Sequence, residues 1–324
     1  MEIDLANLKQ AVMDLKKLIL LTVMLVGSLH INAQNKDDFA THVSLVRSNF
    51  ATITNARHPE NRIGYRFHEH EPIAYGKIPE SNAEAGIEPD SIDQQIASFK
   101  KQREVFIYKH EIEQSDHWAR QTWTYYIRPA HDGIEMILLI ETFDRGLPEY
   151  YGVQQCFRMS GATNSEWRKE IALTPAFSEY DQWKGATSLG ERQSLTYVSR
   201  GNQWEALPPT DSTVGARTPL GVEIDQIRTS GVPMKKVGPY HAEMLTPIDH
   251  GLITRTDTEG IWICGIFWTH TSHVTDHHPA DCLHSIVNIG NIPSHSRRVI
   301  KGKIYWFEGT TADLSARFRK DFPE

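Results

Sequence analysis

The chain's densest group of reactive side chains lies in one segment, from Trp268 to His284. Five of the 16 histidines fall there beside two aspartates and a cysteine: His270, His273, His277, His278, His284, Asp276, Asp281 and Cys282. Neutral imidazole and carboxylate bind Zn²⁺, and imidazole exchanges protons near neutral pH. The spacing contains no His-Glu-x-x-His, Cys-x-x-Cys or EF-hand pattern. We interpret the segment as a site-forming loop between two strands; a purely structural, hydrogen-bonded loop is the alternative.

The residue types in this segment suggest particular roles. Histidine would transfer protons or bind a metal, and aspartate would orient an imidazole. The candidate catalytic residues of the segment are His273, His277, His278, Asp276 and Asp281. For a divalent metal, Zn²⁺ or Ca²⁺, the candidate ligands are His270, His273 and His278.

A second group of polar and aromatic residues follows the strongest strand pattern, between Glu141 and Tyr151. Glu141 or Glu149 is the candidate for a second catalytic group, because glycosidases use a pair of carboxyl groups. Aromatic rings stack on sugar faces and guanidinium groups bind hydroxyls. The candidate substrate-binding residues are Tyr150, Tyr151, Trp268, Arg145 and Arg297. A well-packed strand connection, with Glu141 paired to Arg145, is the alternative.

Charge and missing motifs exclude several classes of function. The formal net charge is -7, and an acidic surface repels nucleic acid and anionic membranes. The sequence has no Gly-x-Ser-x-Gly, no Gly-x-x-x-x-Gly-Lys and no Gly-x-Gly-x-x-Gly. A serine hydrolase of the α/β kind, a nucleotide triphosphatase and a nicotinamide dehydrogenase are therefore disfavoured.

The N-terminus predicts export. Lys16 and Lys17 precede the apolar run 18–27, which polar residues and Ala33 follow. This is the order of a cleavable signal peptide, and the run is shorter than the roughly 20 apolar residues of a membrane span. We expect cleavage near Ala33 and a periplasmic or secreted protein with no transmembrane segment in its mature form.

The three cysteines are Cys156, Cys264 and Cys282. An oxidising compartment permits a disulfide. The pair whose flanking segments could be neighbouring strands is Cys264 with Cys282. Buried thiols are an equally good interpretation.

Periodicity predicts the elements that must position these residues. An amphipathic helix is expected over 37–50, an ordered loop over 58–89 that buries Tyr65, Phe67 and Tyr75, and a helix that begins at Pro89. β-branched and aromatic runs predict strands near 105–112, 122–128, 134–143, 151–158, 194–199, 261–268, 284–289 and 298–307. Capping-box patterns predict helices after Thr163 and Thr310. The stretch 205–240 is expected to be functional or flexible.

Many strands and few long helices predict a mainly β protein, an antiparallel β-sandwich with short peripheral helices. The strand count is also compatible with a supersandwich like that of galactose mutarotases. We divide the chain into a signal peptide (1–33), a helical and loop segment packed on the body (34–104) and a main sandwich with a C-terminal helix (105–324). The predicted function is an exported carbohydrate-active enzyme, a glycoside hydrolase or polysaccharide lyase. A secreted glycan-binding or envelope protein without catalysis is the alternative.

Overall fold

β-Branched and aromatic residues at alternating positions build strands over most of the chain. The computed structural model describes residues 41–47, 50–59, 62–69, 73–79, 89–101, 104–113, 119–158, 196–207, 213–229, 243–245, 247–257, 259–277 and 282–323. The chain divides into Met1–Asp38, which lies outside these residues, and Phe39–Glu324, which carries every element below. The predicted signal peptide therefore stays a prediction.

The described strands are β1 Thr41–Arg47, β2 Phe50–Asn55, β3 Arg62–Arg66, β4 Ile73–Tyr75, β5 Phe106–Ile112, β6 Gln121–Ala130, β7 Gly133–Thr142, β8 Tyr150–Arg158, β9 Thr196–Arg200, β10 Gln203–Ala206, β11 Thr213–Arg217, β12 Glu243–Leu245, β13 Ile253–Thr256, β14 Trp262–Trp268, β15 Thr271–His277, β16 Cys282–Asn288 and β17 Arg297–Glu308. The described helices are α1 Pro89–Lys101, α2 Pro219–Thr229 and α3 Thr311–Asp321. Among the described residues, no helix is long and apolar enough to cross a membrane.

Two sheets form the sandwich. The larger sheet has the order β1-β2-β3-β8-β16-β15-β11-β12, and β4 also pairs with β8. The smaller sheet has the order β10-β9-β13-β14-β17-β7-β6-β5. Only the described pair β11–β12 is parallel, so both sheets are essentially antiparallel. The predicted fold class, a mainly β sandwich with short helices, is confirmed.

Alternate residues of each strand point into the core between the sheets. The core includes Trp123, Tyr125, Trp268 and Trp306, all almost fully buried. The helices cover outer faces. Ile92, Ile96 and Phe99 of α1 and Leu314 and Phe318 of α3 pack on the smaller sheet, and Leu220 and Ile224 of α2 pack with apolar residues of the larger sheet.

The strong sequence signals are confirmed. A strand lies at each of the eight predicted positions, and α1 begins at Pro89 as predicted and buries Ile92, Ile96 and Phe99. Thr310 and Asp313 form the predicted capping box at the start of α3. The helix predicted after Thr163 lies outside the described residues.

Two local predictions are wrong. Residues 41–47, within the predicted helix 37–50, form β1, because β2 offers it a ladder that overrides a helical spacing of apolar residues. The predicted loop 58–89 contains β3 and β4, although Tyr65, Phe67 and Tyr75 are buried as expected. The segment 34–104 thus contributes four strands to the larger sheet. The stretch 205–240, expected to be functional or flexible, includes the ordered elements β11 and α2.

Candidate functional site

The histidine-rich segment is mainly a strand. Its expected loop is replaced by a turn at Thr269 and His270 followed by β15, which pairs with β11 and β16. Neighbouring side chains of a strand face opposite sides, so the segment divides its polar residues between two environments. Val274 lies in the core and Thr275 on the outer face, where it contacts a histidine of β16. His278 and Asp281 lie outside the described residues, so the predicted ligand set His270, His273 and His278 stays a prediction.

Asp276 points into the core, where it pairs with an arginine of the other sheet. Its carboxylate accepts a hydrogen bond from Arg255 Nη2 at 2.9 Å, and both side chains are essentially inaccessible. Arg255 comes from β13 of the smaller sheet, so this ion pair joins the two sheets across the sandwich. Asp276 therefore contributes to the stability of the sandwich, and its predicted catalytic role stays a prediction.

The substrate-binding residues predicted from the sequence lie in different environments. Trp268 is 0% exposed in the core and offers no ring face to a ligand, and Tyr151 is 2% exposed with its hydroxyl accepting a hydrogen bond from Gln121. Alternation turns both side chains toward the core, and their role in substrate binding stays a prediction. Arg145 is exposed, and Arg297 Nε lies 3.4 Å from the carboxylate of Glu141.

A pocket at one end of the sandwich brings together four of the predicted residues. We call it the end pocket; its volume is about 410 Å³. Glu149, Tyr150, His270 and Arg297 line it together with Glu223, Arg298, Asn288, Gly290, Asn291, Val299 and the α2 residues Leu220, Ile224 and Ile227. One wall is thus apolar, and the rest carries carboxylate, amide, imidazole and guanidinium groups. The 268–284 segment and the 141–151 turn both contribute to this pocket, through His270 and through Glu149 and Tyr150.

The turn that carries His270 in the end pocket has a left-handed backbone. His270 has a φ of 64°, in the region that non-glycine residues adopt uncommonly and that Asn, Asp and His adopt most often among them. Asn288 N donates to the His270 carbonyl at 2.9 Å and holds the turn. Burial, with added repulsion from Arg298, lowers the pKa of the His270 imidazole, so it is neutral at pH 7.

The two arginines of the end pocket are held by other groups. Arg298 donates to the carbonyl oxygens of Gly290 and Asn291. Arg297 Nη2 donates to Asp93 on α1 at 2.8 Å. Both guanidinium groups are therefore positioned before any ligand arrives, which lowers the entropic cost of binding.

A second polar group lies buried on the outer face of the larger sheet. We call Glu69, Cys156, Cys282 and His284 the cysteine cluster; all four are under 8% exposed. Register places His284 on β16 opposite Cys156 on β8. The two sulfur atoms and a ring nitrogen of His284 lie within 4.8 Å of one another. His284 Nε2 lies 3.2 Å from Glu69 Oε2.

Hydrogen bonds fix the side chains of the cysteine cluster. Glu69 accepts from Gln154 Nε2 at 2.8 Å, Arg158 Nη2 at 2.9 Å and Arg66 Nη1 at 3.2 Å. Burial raises the pKa of Glu69, but His284 and the two arginines outweigh burial and hold that pKa far below its usual range. For His284, burial lowers the pKa, but Cys156 and Glu69 outweigh it and raise the pKa to about 9.

No disulfide joins the cysteines, all three of which lie in the described part of the chain. The pairing of Cys264 with Cys282 is wrong, because β14 and β16 belong to different sheets. The neighbour of Cys282 is Cys156. Sequence reasoning missed this pair and missed Glu69; the alternation of Gln154, Cys156 and Arg158 on β8 is the signal that indicates a polar outer face.

Comparison with known proteins gives only distant similarity. No protein-family model matches the chain, and no curated protein matches it. A putative mutarotase from Salmonella typhimurium matches at 9% identity over 89% of this chain and 100% of its own, with a TM-score of 0.31. A galactose mutarotase-like protein from Clostridium acetobutylicum matches at 7% identity over 85% of this chain and 100% of its own, with a TM-score of 0.32. These low values transfer no residue roles to this chain.

Proposed function

We propose that the chain is an exported carbohydrate-active enzyme, a glycoside hydrolase or polysaccharide lyase, whose reaction takes place in the end pocket. The observation that supports the proposal most is the lining of this pocket, which combines an apolar wall with converging charged and amide groups. A sugar presents the same combination, because hydroxyl groups surround an apolar ring face. The volume of about 410 Å³ lies in the usual range of ligand sites.

Glu149 and Glu223 are the carboxyl groups that this pocket offers for cleavage of a glycosidic bond. Hydrolysis needs one carboxyl group to protonate the leaving oxygen and a second to activate water or attack the sugar. In the lyase version, neutral His270 removes the proton beside a uronate carboxylate that Arg297 or Arg298 binds. A carbon–carbon double bond then forms as the glycosidic C–O bond breaks, and Glu149 or Glu223 in its protonated form gives a proton to the leaving oxygen. His270 thus acts as a base in this proposal, and His273 and His277, which do not line the end pocket, take no part.

A panel of polysaccharides with and without uronic acids tests the proposal. Wild-type protein is expected to release new reducing ends from one of them. A product with a carbon–carbon double bond, seen by its ultraviolet absorbance, identifies the lyase; its absence identifies the hydrolase. Glu149→Gln removes turnover, whereas Glu259→Gln, at an exposed residue outside the pocket, retains it. Binding of a glycan with no turnover by wild type would favour the non-catalytic alternative.

A further inference from the structure

We propose that the cysteine cluster is a zinc site whose ligands are Cys156 Sγ, Cys282 Sγ and His284 Nε2. The inference is independent of the end pocket and of its reaction. Two sulfurs and an imidazole nitrogen lie within 4.8 Å of one another on one sheet face, and the Glu69 carboxylate lies 3.2 Å from the imidazole. Sulfur and imidazole donors favour Zn²⁺, while Ca²⁺ takes oxygen ligands only.

The three donors lie close enough together to bind one ion. Zinc–sulfur bonds of about 2.3 Å and zinc–nitrogen bonds of about 2.0–2.1 Å require ligand atoms less than about 4 Å apart. The two sulfurs and the His284 nitrogen lie within 4.8 Å of one another, so a small shift of the side chains brings them to bonding distance.

The orientation of the His284 imidazole supports the same assignment. Nδ1 is held by the Thr275 hydroxyl at 2.9 Å. Nε2 is buried, and among the described residues it makes no aligned hydrogen bond, although Glu69 is near. Metal-binding histidines have this arrangement: one ring nitrogen is fixed by a hydrogen bond and the other is left for the ion.

The surroundings also compensate the charge of such a site. Two thiolates neutralise Zn²⁺, and the Glu69 carboxylate beside them adds one negative charge. Arg158 and Arg66 both donate to Glu69, so two cations lie beside that charge. Binding releases the two thiol protons and the imidazolium proton of His284 to solvent, and no redox partner is needed. Cys156 and Cys282 are completely buried, so the site is shielded from solvent.

Metal analysis tests whether the cysteine cluster binds zinc. The purified wild-type protein is exposed to Zn²⁺, and excess ion is removed before the measurement. We expect about one zinc ion per chain. After replacement by Co²⁺, the wild type is expected to show the strong visible bands of a tetrahedral ion and thiolate-to-cobalt charge transfer. Wild-type protein without bound zinc, or with cobalt bands lacking thiolate charge transfer, overturns the proposal.

Variants then test the ligands individually. Cys156→Ser and Cys282→Ser are expected to lose the thiolate band and the zinc, while Cys264→Ser, at a buried cysteine of the other sheet, keeps both. Thr275→Val removes only the hydrogen bond to the imidazole and is expected to weaken zinc affinity by about 10–100-fold. Unchanged zinc content in Cys156→Ser and Cys282→Ser, or a Cys156–Cys282 disulfide in protein purified without reductant, contradicts the site.

Discussion

The end pocket and the cysteine cluster hold similar side chains on the same sandwich but differ in exposure. Glu149 in the pocket is exposed, whereas Glu69 in the cluster is 7% exposed and bonded to Arg158 and Gln154. An exposed carboxylate can meet a substrate, and a buried, fully bonded one contributes to stability. Glu149 is therefore a candidate for catalysis and Glu69 is not, because a ligand can reach only the exposed carboxylate.

The largest expected effect is the loss of turnover when the carboxylate of the end pocket is removed. Glu149→Gln is expected to lower kcat by about 10²–10⁴-fold, because it removes a group that transfers a proton. The free energy of unfolding should change by no more than about 0.5 kcal/mol, as for other exposed positions. Kinetics on the best polysaccharide and urea unfolding measure the two quantities. A loss of activity explained by unfolding would remove the distinction between the regions.

The same substitution in the cysteine cluster is expected to act on stability. Glu69→Gln leaves the charge of Arg158 buried without its carboxylate and should cost about 3–5 kcal/mol in the free energy of unfolding. The midpoint of urea unfolding measures this, with Glu149→Gln as the matched control. Equal midpoints for the two variants would contradict the contrast between buried and exposed carboxylates.

The strands that carry both regions are easier to predict from the sequence than the side chains that meet in them. Long apolar strands such as β7 and β14 were predictable because burial on both faces leaves a continuous signal. β15 was not, because it buries the charged Asp276, which pairs with Arg255 of another strand. Because the partner is distant in the sequence, the residues around such a carboxylate have the polar composition of a loop.

The end pocket was partly predictable because strand ends and turns collect reactive residues. Glu149 and His270 both stand at such positions. The cysteine cluster was not, because Glu69 is remote in sequence from its partners and the register of β8 against β16 decides that Cys156 meets His284. Register depends on the whole sheet.

A pH profile tests the assignment of His270 in the end pocket. Its pKa lies below the ordinary value of about 6.5. If the neutral imidazole is the base, kcat/KM falls only when the pH drops below about 6.5. The charged groups that line the pocket beside it are Glu149, Glu223, Arg297 and Arg298.

The same lowered pKa has a consequence for folding. The unfolded chain takes up the His270 proton first, so acidification below about pH 6.5 costs stability until the folded imidazole also protonates. His270→Asn should lose the acid limb of the activity profile together with most of the turnover. An acid limb above pH 6.5, or one that persists in His270→Asn, contradicts the role of His270 as the base.

The smallest expected effect serves as a reference outside both regions. Thr310→Ala removes the hydroxyl that caps α3 and should cost about 1 kcal/mol of stability. Turnover and zinc content should both stay at the wild-type level, because α3 packs on the smaller sheet. Thermal unfolding, kinetics and metal analysis on one preparation measure all three. A change in turnover or in zinc content would mean that both quantities depend on the global stability of the protein and not on the individual sites.

The most direct test of the central claim measures product released from the best polysaccharide by wild type, the double variant Glu149→Gln with His270→Asn, and Cys264→Ser. The account predicts turnover by wild type and Cys264→Ser, and none above background by a folded double variant, since the end pocket supplies the acid–base groups. Turnover by the double variant at the wild-type rate would contradict it.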